Sequence, residues 1–110
     1  DPIYAVSCPL WTGDNGYLCF IQGYLNPVST TYVNVEGHPV DMCLNSNAGN
    51  AGNLYVMSKT NSGNTVITVF GLKFSPYFEP EVVSVINIDG FPRDIVSPSN
   101  GEYLIVLTSD

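Results

Sequence analysis

The three cysteines, Cys8, Cys19 and Cys43, are the residues whose chemistry the sequence constrains best. Cys8 and Cys19 flank a segment with the turn-forming residues 13–16 (Gly-Asp-Asn-Gly) near its middle. A hairpin centred there would place these two cysteines directly opposite one another, with Cβ atoms about 4.5–5.5 Å apart, which approaches disulfide range. The sequence therefore predicts either a Cys8–Cys19 disulfide, which would indicate an oxidising compartment, or two half-buried thiols used as small apolar residues. We expect Cys43 to be buried.

Metal and cofactor chemistry is not indicated by the remaining residues. A zinc site needs closely spaced Cys or His pairs, and the chain has no such pair and a single histidine, His38. Asp14 and Asn15 could offer oxygen ligands to Ca²⁺, but a solvated hairpin tip accounts for the same residues. The glycines of residues 49–52 are not followed by the lysine of a phosphate-binding loop. We therefore predict no metal and no cofactor.

The acidic residues give no recognisable catalytic pair. Glycoside hydrolysis requires two carboxylates about 5–10 Å apart in a cleft, and no spacing in the sequence indicates one. His38 is not accompanied by the Gly-x-Ser-x-Gly elbow of a serine hydrolase. Asp41 and Asp94 occupy equivalent positions in a repeated segment, so we expect them to make local structural hydrogen bonds. The sequence predicts that the chain is not an enzyme.

The charge balance excludes two classes of partner. The formal net charge is −7, and the basic residues are only Lys59, Lys73 and Arg93. Nucleic acids and anionic membrane surfaces both require clusters of cations on the protein, so neither is expected. The longest apolar run, Tyr103–Leu107, is far shorter than the ~20 residues that cross a bilayer, and we predict no membrane insertion.

The composition is typical of a β-sheet protein. The 110 residues are 45% hydrophobic and 12% charged, and such a length corresponds to one domain, residues 1–110. Tyr, Thr and Val suit a pleated, half-buried surface, whereas Asn and Gly supply turns. Gly, Asn and Pro interrupt every stretch with helical spacing. We therefore predict an all-β domain of about 8–9 short antiparallel strands.

A proline-led unit recurs along the chain. Pro2, Pro39 and Pro92 each begin a strand that is followed by a turn rich in Gly and Asn and by a second, apolar strand. The second and third units share a longer frame, Gly-x-Pro-x-Asp, at residues 37–41 and 90–94. The predicted repeat units cover about residues 2–36, 39–89 and 92–110.

The segments GFPRDIVSPSNGEYLIV (residues 90–106), NLYVMS (53–58) and GNTVITV (63–69) resemble the YVTN-type β-propeller repeat. A blade of that family has roughly a Gly-x-Pro start, an apolar strand, a Pro-x-Gly turn, an apolar-Tyr-Val strand and then an Asn-x-Val-x-Val strand. The resemblance covers mainly residues 37–110 and extends weakly over 2–24. It implies four-stranded blades and an extracellular setting, since surface-layer and other extracellular proteins of archaea and bacteria carry such repeats.

Two architectures remain open at this point. A propeller usually requires at least about four blades of four strands, and this chain has material for about two and a half. Its blade-like repeats would then belong to a partial propeller that other chains or further sequence complete. Alternatively, about eight strands suffice for a two-sheet β-sandwich, Ig-like or jelly roll.

Aromatic residues at or beside predicted turns are the candidate contact residues, because exposed aromatics in loops are enriched at binding surfaces. These candidates are Trp11, Tyr24, Tyr32, Tyr77 and Phe78. We expect a non-enzymatic, extracellular structural or binding module that acts through protein or glycan surface contacts in a surface layer, filament, virion or adhesin. Self-association or edge-strand pairing with other protein chains is the expected partnership. The alternative is a subunit of an enzymatic β-propeller whose active site is completed by other chains.

Overall fold

The computed structural model describes residues 3–12, 15–22, 29–45, 52–73, 79–98 and 103–109, with only the backbone described for 3–12, Gln22, Ser29 and Lys73. These residues form nine β-strands and no helix, which confirms the all-β prediction. The strands are β1 (Ile3–Thr12), β2 (Asn15–Gln22), β3 (Ser29–Glu36), β4 (His38–Asn45), β5 (Asn53–Lys59), β6 (Thr65–Lys73), β7 (Glu79–Ile88), β8 (Phe91–Val96) and β9 (Ile105–Ser109). Nothing in the described part of the chain is a helix that could span a membrane.

The strands divide into three antiparallel sheets, which we call sheet A (β1-β2-β3), sheet B (β4-β5-β6-β7) and sheet C (β8-β9). In each sheet, hydrogen-bonded neighbours are also neighbours in the sequence. The described residues therefore form one sheet more than a two-sheet sandwich has. The described residues do not close into a barrel or a propeller, and each sheet begins near one of the proline-led units.

Sheet B lies between the other two because its central strands are apolar on both faces. Leu54, Val56 and Phe70 form one buried cluster with residues of sheet A, and the intervening residues of β5 and β6 face the other way. This division follows from the period-2 alternation of side chains along a strand. The buried cluster between sheets A and B consists of Leu18, Phe20, Val35, Leu54, Val56 and Phe70.

Two aromatic rings join sheets A and B at the centre of this cluster. Phe20 of β2 and Phe70 of β6 are 1% and 0% exposed, and their ring centroids lie 5.8 Å apart at an interplanar angle of 76°. This is the edge-to-face arrangement that the ring quadrupoles favour. Full burial of each phenylalanine contributes about 1.5–3 kcal/mol, so the pair is a major part of the contact between the sheets.

Sheet C covers part of the opposite face of sheet B. Ile95 of β8 packs with Met57, Ile67 and Val69 in a second buried cluster. Leu104 and Val106 of the β9 region are half-buried against the same cluster. The three sheets therefore form successive layers, A on B and B on C.

The repeated Gly-x-Pro-x-Asp frame has the same backbone structure in its second and third copies. Gly37 and Gly90 both have positive φ, 82° and 98°, a region that favours glycine. In each copy the strand register shifts between the proline and the aspartate. Asp41 Oδ1 accepts a hydrogen bond from the backbone N–H of the next residue at 2.8 Å, and so does Asp94 Oδ1. The predicted structural role of these two carboxylates matches this geometry.

The β1–β2 hairpin corrects the prediction for the first two cysteines. Thr12 pairs with Asn15, so the hairpin is centred where the sequence indicated, but the register shifts between Cys8 and Thr12. Beyond the shift, Val6 is opposite Cys19 and Tyr17 is opposite Cys8. The predicted direct opposition of Cys8 and Cys19 is therefore wrong. Diagonal neighbours in a ladder lie about 7–8 Å apart, and Cys19 is a buried free thiol.

Candidate functional site

One end of sheet B gathers three chain connections, and we call it the turn end. The β5–β6 turn (Thr60–Asn64) lies there, together with Gly37 between β3 and β4 and the Asp89–Gly90 link between β7 and β8. The ladders show this directly, since Lys59 pairs with Thr65 and Thr65 pairs with Ile88. These connections bring sheets A, B and C to one surface.

Hydrogen bonds hold the β5–β6 turn in one conformation. The Thr60 N–H donates to the Asn64 carbonyl at 2.9 Å, and the Gly63 N–H donates to the Thr60 carbonyl at 3.0 Å. The Thr60 hydroxyl oxygen also accepts from the Asn64 N–H at 3.1 Å. Gly63 has a φ of 86°, which favours glycine at that position. The turn therefore offers fixed positions for its polar side chains.

Two hydrogen bonds tie this turn to the β7–β8 link. The Thr65 hydroxyl donates to the Gly90 carbonyl at 2.7 Å. The Gly90 N–H in turn donates to Asn64 Oδ1 at 3.2 Å. The start of sheet C is thus held against the end of sheet B.

A polar cleft of about 460 Å³ opens at the turn end. Its walls include the carboxylates of Glu36 and Asp89 and the side chains of Asn61, Ser62 and Asn87. Such groups can form hydrogen bonds with hydroxyl groups of a ligand. Among the described residues, no group of three or more His, Cys, Asp or Glu side chains could hold a metal ion.

A second cleft, of about 330 Å³, lies beside the first, and its charged lining residues are basic instead of acidic. We call it the cationic cleft; its lining residues are Val40, Lys59, Phe91, Pro92 and Arg93. Lys59 Nζ lies 5.3 Å from the centroid of the Phe91 ring, within the range of a cation–π interaction. Arg93 Nε donates to Ser109 Oγ at 2.6 Å, which fixes the guanidinium at the cleft. Two of the three basic residues of the chain therefore line one cleft.

Apolar side chains are exposed on the outer face of sheet C. Ile105 and Leu107 of β9 are 51% and 59% exposed, and Val96 of β8 is 47% exposed. Val96 pairs with Ile105, and these side chains lie on the face opposite to Ile95 and Val106, which pack on sheet B. Sheet C thus presents an apolar surface to solvent.

Strand β7 is a second exposed apolar element. It is the last strand of sheet B in the order β4-β5-β6-β7, and Val82, Val83, Val85 and Ile86 are between 42% and 56% exposed. The neighbouring sheets have three and two described strands against four in sheet B. Sheets A and C therefore leave these four side chains of β7 largely uncovered.

The predicted contact aromatics do not gather in either cleft. Tyr32 lies in β3 and is 65% exposed, with Cys19 as its register partner. Trp11 lies near the end of β1, where only the backbone is described. Tyr24, Tyr77 and Phe78 fall outside the described residues. Their predicted role as contact residues stays a prediction.

Cys43 is half-buried in the middle of β4, whereas we expected it to be buried. Burial raises the pKa of its thiol, and the carboxylates of Asp41 and Asp94 raise this pKa further. Asp41 and Asp94, which are equivalent in the repeat, thus both raise the pKa of the same thiol, which lies between sheets B and C. A thiol with a raised pKa is a poor nucleophile at neutral pH.

The cationic cleft is one of the features that the sequence did not predict. Lys59 ends β5, whereas Phe91 and Arg93 belong to the repeat frame that begins sheet C. Two sequence features could have indicated this cleft. Basic residues are rare in a chain of net charge −7, and Phe91 and Arg93 lie beside Pro92 of the repeat.

Comparison with known proteins gives no assignment: no family model matches the sequence, and neither a curated protein nor a solved structure matches it.

Proposed function

We propose that this chain is a non-enzymatic, extracellular structural or binding module that acts through surface contacts with other protein chains. Contact with a glycan at the polar cleft is compatible with the same role. The observation that carries the proposal is the exposed apolar face of sheet C, at positions whose equivalents in sheet B are buried or half-buried under another sheet.

Because the repeat occurs in both sheets, positions in sheet C can be compared with equivalent positions in sheet B. Cys43 pairs with Tyr55 in sheet B as Val96 pairs with Ile105 in sheet C. Asp41 pairs with Met57 as Asp94 pairs with Leu107. Met57 and Leu107 are therefore equivalent positions in the two sheets.

Their environments differ. Met57 is 0% exposed because sheet C packs over it, whereas Leu107 is 59% exposed. The outer face of sheet C thus has the side chains of a sheet-to-sheet interface without the covering sheet. Contiguous exposed apolar surfaces of this kind are typical of protein interaction sites. We propose that a sheet from a second copy covers it and continues the layering of A, B and C.

Sedimentation velocity over rising protein concentration tests the proposal. We expect the chain to self-associate and Leu107→Lys to weaken that association about tenfold or more, because the loss of one buried leucine contact removes about 1.5–3 kcal/mol. Leu44→Lys is the matched control, since Leu44 is 55% exposed on β4, away from the outer face of sheet C. Thermal unfolding of both variants checks their folding. A chain that stays monomeric at millimolar concentration, or equal effects of the two variants, would contradict the proposal.

A further inference from the structure

We infer that the cationic cleft binds the acidic start of β7, residues Glu79–Val83, from a second copy of the chain. The inference rests on the proposed function, because it adds a second, ionic contact to a module that acts by association. It concerns residues other than the apolar side chains of the outer face of sheet C, so the two contacts can be tested with separate variants.

No carboxylate of the described residues neutralises the charges of the cleft. Lys59 is placed over the Phe91 ring, and Arg93 donates to the neutral hydroxyl of Ser109. Neither cation has a carboxylate partner among the described residues. In a chain with ten acidic and three basic residues, two cations that line one cleft without an acidic partner among the described residues form a local site for an anion.

The lining of the cleft also favours particular chemical groups next to the bound carboxylate. Val40 and Phe91 are 52% and 38% exposed and line the cleft beside the two cations. An arginine and a lysine bind carboxylates through charge-assisted hydrogen bonds, and the adjacent apolar surface favours a ligand with an apolar group next to its carboxylate. The face of Phe91 is occupied by Lys59 Nζ, which leaves less of the ring for stacking on a sugar. These features favour a peptide with acidic and apolar side chains in alternation.

The start of β7 has this composition. Glu79 and Glu81 are exposed, and Val82 and Val83 beside them are 46% and 56% exposed. The segment belongs to an edge strand, whose backbone groups on one side are open to a partner. A second copy therefore offers two carboxylates and two apolar side chains on one accessible strand.

The two complementary surfaces lie at opposite ends of sheet B. Lys59 pairs with Thr65 at the turn end, whereas Glu81 pairs with Gly71 at the other end. Strand β5, with seven residues, separates the ends by about 20 Å at ~3.3 Å per residue. One chain cannot bring its own β7 start to its own cleft. The contact is heterologous and joins copies head to tail, into a ring or an open filament.

Neutral variants that each remove one half of the contact provide the test. The cleft variant is Lys59→Gln with Arg93→Gln, and the segment variant is Glu79→Gln with Glu81→Gln. Both are made in a Leu107→Lys parent, so that the outer face of sheet C does not contribute. We expect the parent to self-associate and each variant alone to self-associate several-fold to about tenfold more weakly by sedimentation velocity. An equimolar mixture of the variants should form a 1:1 dimer and stop there, because only one intact cleft faces one intact segment.

Because the proposed contact is ionic, the strength of the association and its dependence on salt can be estimated. Each exposed ion pair contributes about 0.2–1 kcal/mol, so loss of both cations should weaken association several-fold to about tenfold. Raising the ionic strength from 0.05 to about 0.5 M should weaken it similarly, because the Debye length shortens. Circular dichroism checks that each variant is folded.

The alternatives give distinct results. A mixture that stays monomeric while the parent associates would overturn the inference. A parent that stays monomeric but binds a synthetic Glu-Pro-Glu-Val-Val peptide would overturn the second copy as partner and assign the cleft to an acidic segment of another protein. Binding of a uronic-acid oligosaccharide in place of that peptide would overturn the peptide assignment. Wild-type association that Leu107→Lys does not weaken contradicts the proposed function alone.

Discussion

The ring of Phe91 lies against Gly63: a Cβ atom built on Gly63 would come within 2.8 Å of Phe91 Cε1. Gly63 also has a φ of 86°, a backbone region that side-chain-bearing residues rarely adopt. The first residue of sheet C is thus packed directly on the turn of sheet B. This contact places Phe91 at the cationic cleft.

Gly63→Ala should therefore destabilise the chain by about 1–3 kcal/mol, because it combines backbone strain with a steric clash. Urea unfolding measures the change. Gly71→Ala is the control, since Gly71 lacks a positive φ and its nearest neighbour, at 3.1 Å, is the end of the exposed Val83 side chain. Equal destabilisation by the two substitutions would show that the Phe91 contact is unimportant.

Asp41 and Asp94 should make similar contributions to stability. Asp41→Ala and Asp94→Ala each remove the acceptor of a 2.8 Å hydrogen bond to the next backbone N–H, and we expect each to cost about 0.5–1.5 kcal/mol in unfolding free energy. Asp94→Asn keeps an oxygen acceptor and should cost less. If Asp94→Asn destabilises the chain as much as Asp94→Ala does, the hydrogen bond does not explain the contribution of Asp94 to stability.

The contact between sheets A and B should depend strongly on the Phe20–Phe70 pair. Phe70→Ala should destabilise by about 3–5 kcal/mol, as expected for a large ring removed from a packed core. A double-mutant cycle with Phe20→Ala should give a coupling of about 0.5–1.5 kcal/mol from the edge-to-face contact. Val83→Ala, at a residue 56% exposed, is the control and should change stability by less than about 0.5 kcal/mol. A coupling near zero would mean that the rings contribute only by burial.

The Cys43 thiol should react slowly with iodoacetamide near pH 8. Its pKa is raised by burial and by Asp41 and Asp94, so the thiolate fraction at a given pH is smaller than in the unfolded chain. Site-resolved mass spectrometry should place the midpoint of the pH–rate profile above that of the same cysteine in urea. Asp94→Asn should shift the midpoint downward, since it removes one negative charge. An unchanged midpoint would contradict the electrostatic contribution.

The raised pKa of Cys43 also makes the stability of the folded chain depend on pH. The folded state holds the Cys43 proton more tightly than the unfolded state does, so this stabilisation is present below the ordinary thiol pKa. It is lost as the pH rises through the raised pKa of the folded chain. Cys43→Ser should flatten the decline of stability at alkaline pH.

Local features of this fold could be predicted from the sequence, and features that depend on register could not. The Gly-x-Pro-x-Asp frame has the same structure at Gly37 and Gly90 because φ and hydrogen bonds are set within five residues. The centre of the β1–β2 hairpin was also correct, since turn chemistry defined it. The opposition of Cys8 and Cys19 was wrong because the register shifts between Cys8 and Thr12. A β-bulge inserts residues on one strand without any clear sequence signal.

The clefts could not be predicted because they depend on how the sheets stack. Lys59 and Arg93 are distant in the sequence, and only the packing of Phe91 on the β5–β6 turn brings them together. The exposure of β7 likewise depends on the number of strands in the two neighbouring sheets. Composition indicated strands and turns but did not indicate this arrangement.

The pairing of every strand with a neighbour in the sequence has a consequence for how the chain acquires its structure. Each ladder can close as a local hairpin or meander, so none of the described strands needs a partner that is distant in the sequence. Local pairing lowers the entropic cost of loop closure and speeds folding. A sheet can therefore form as soon as its own segment has been synthesised, and the later steps are dockings of preformed sheets through their side chains.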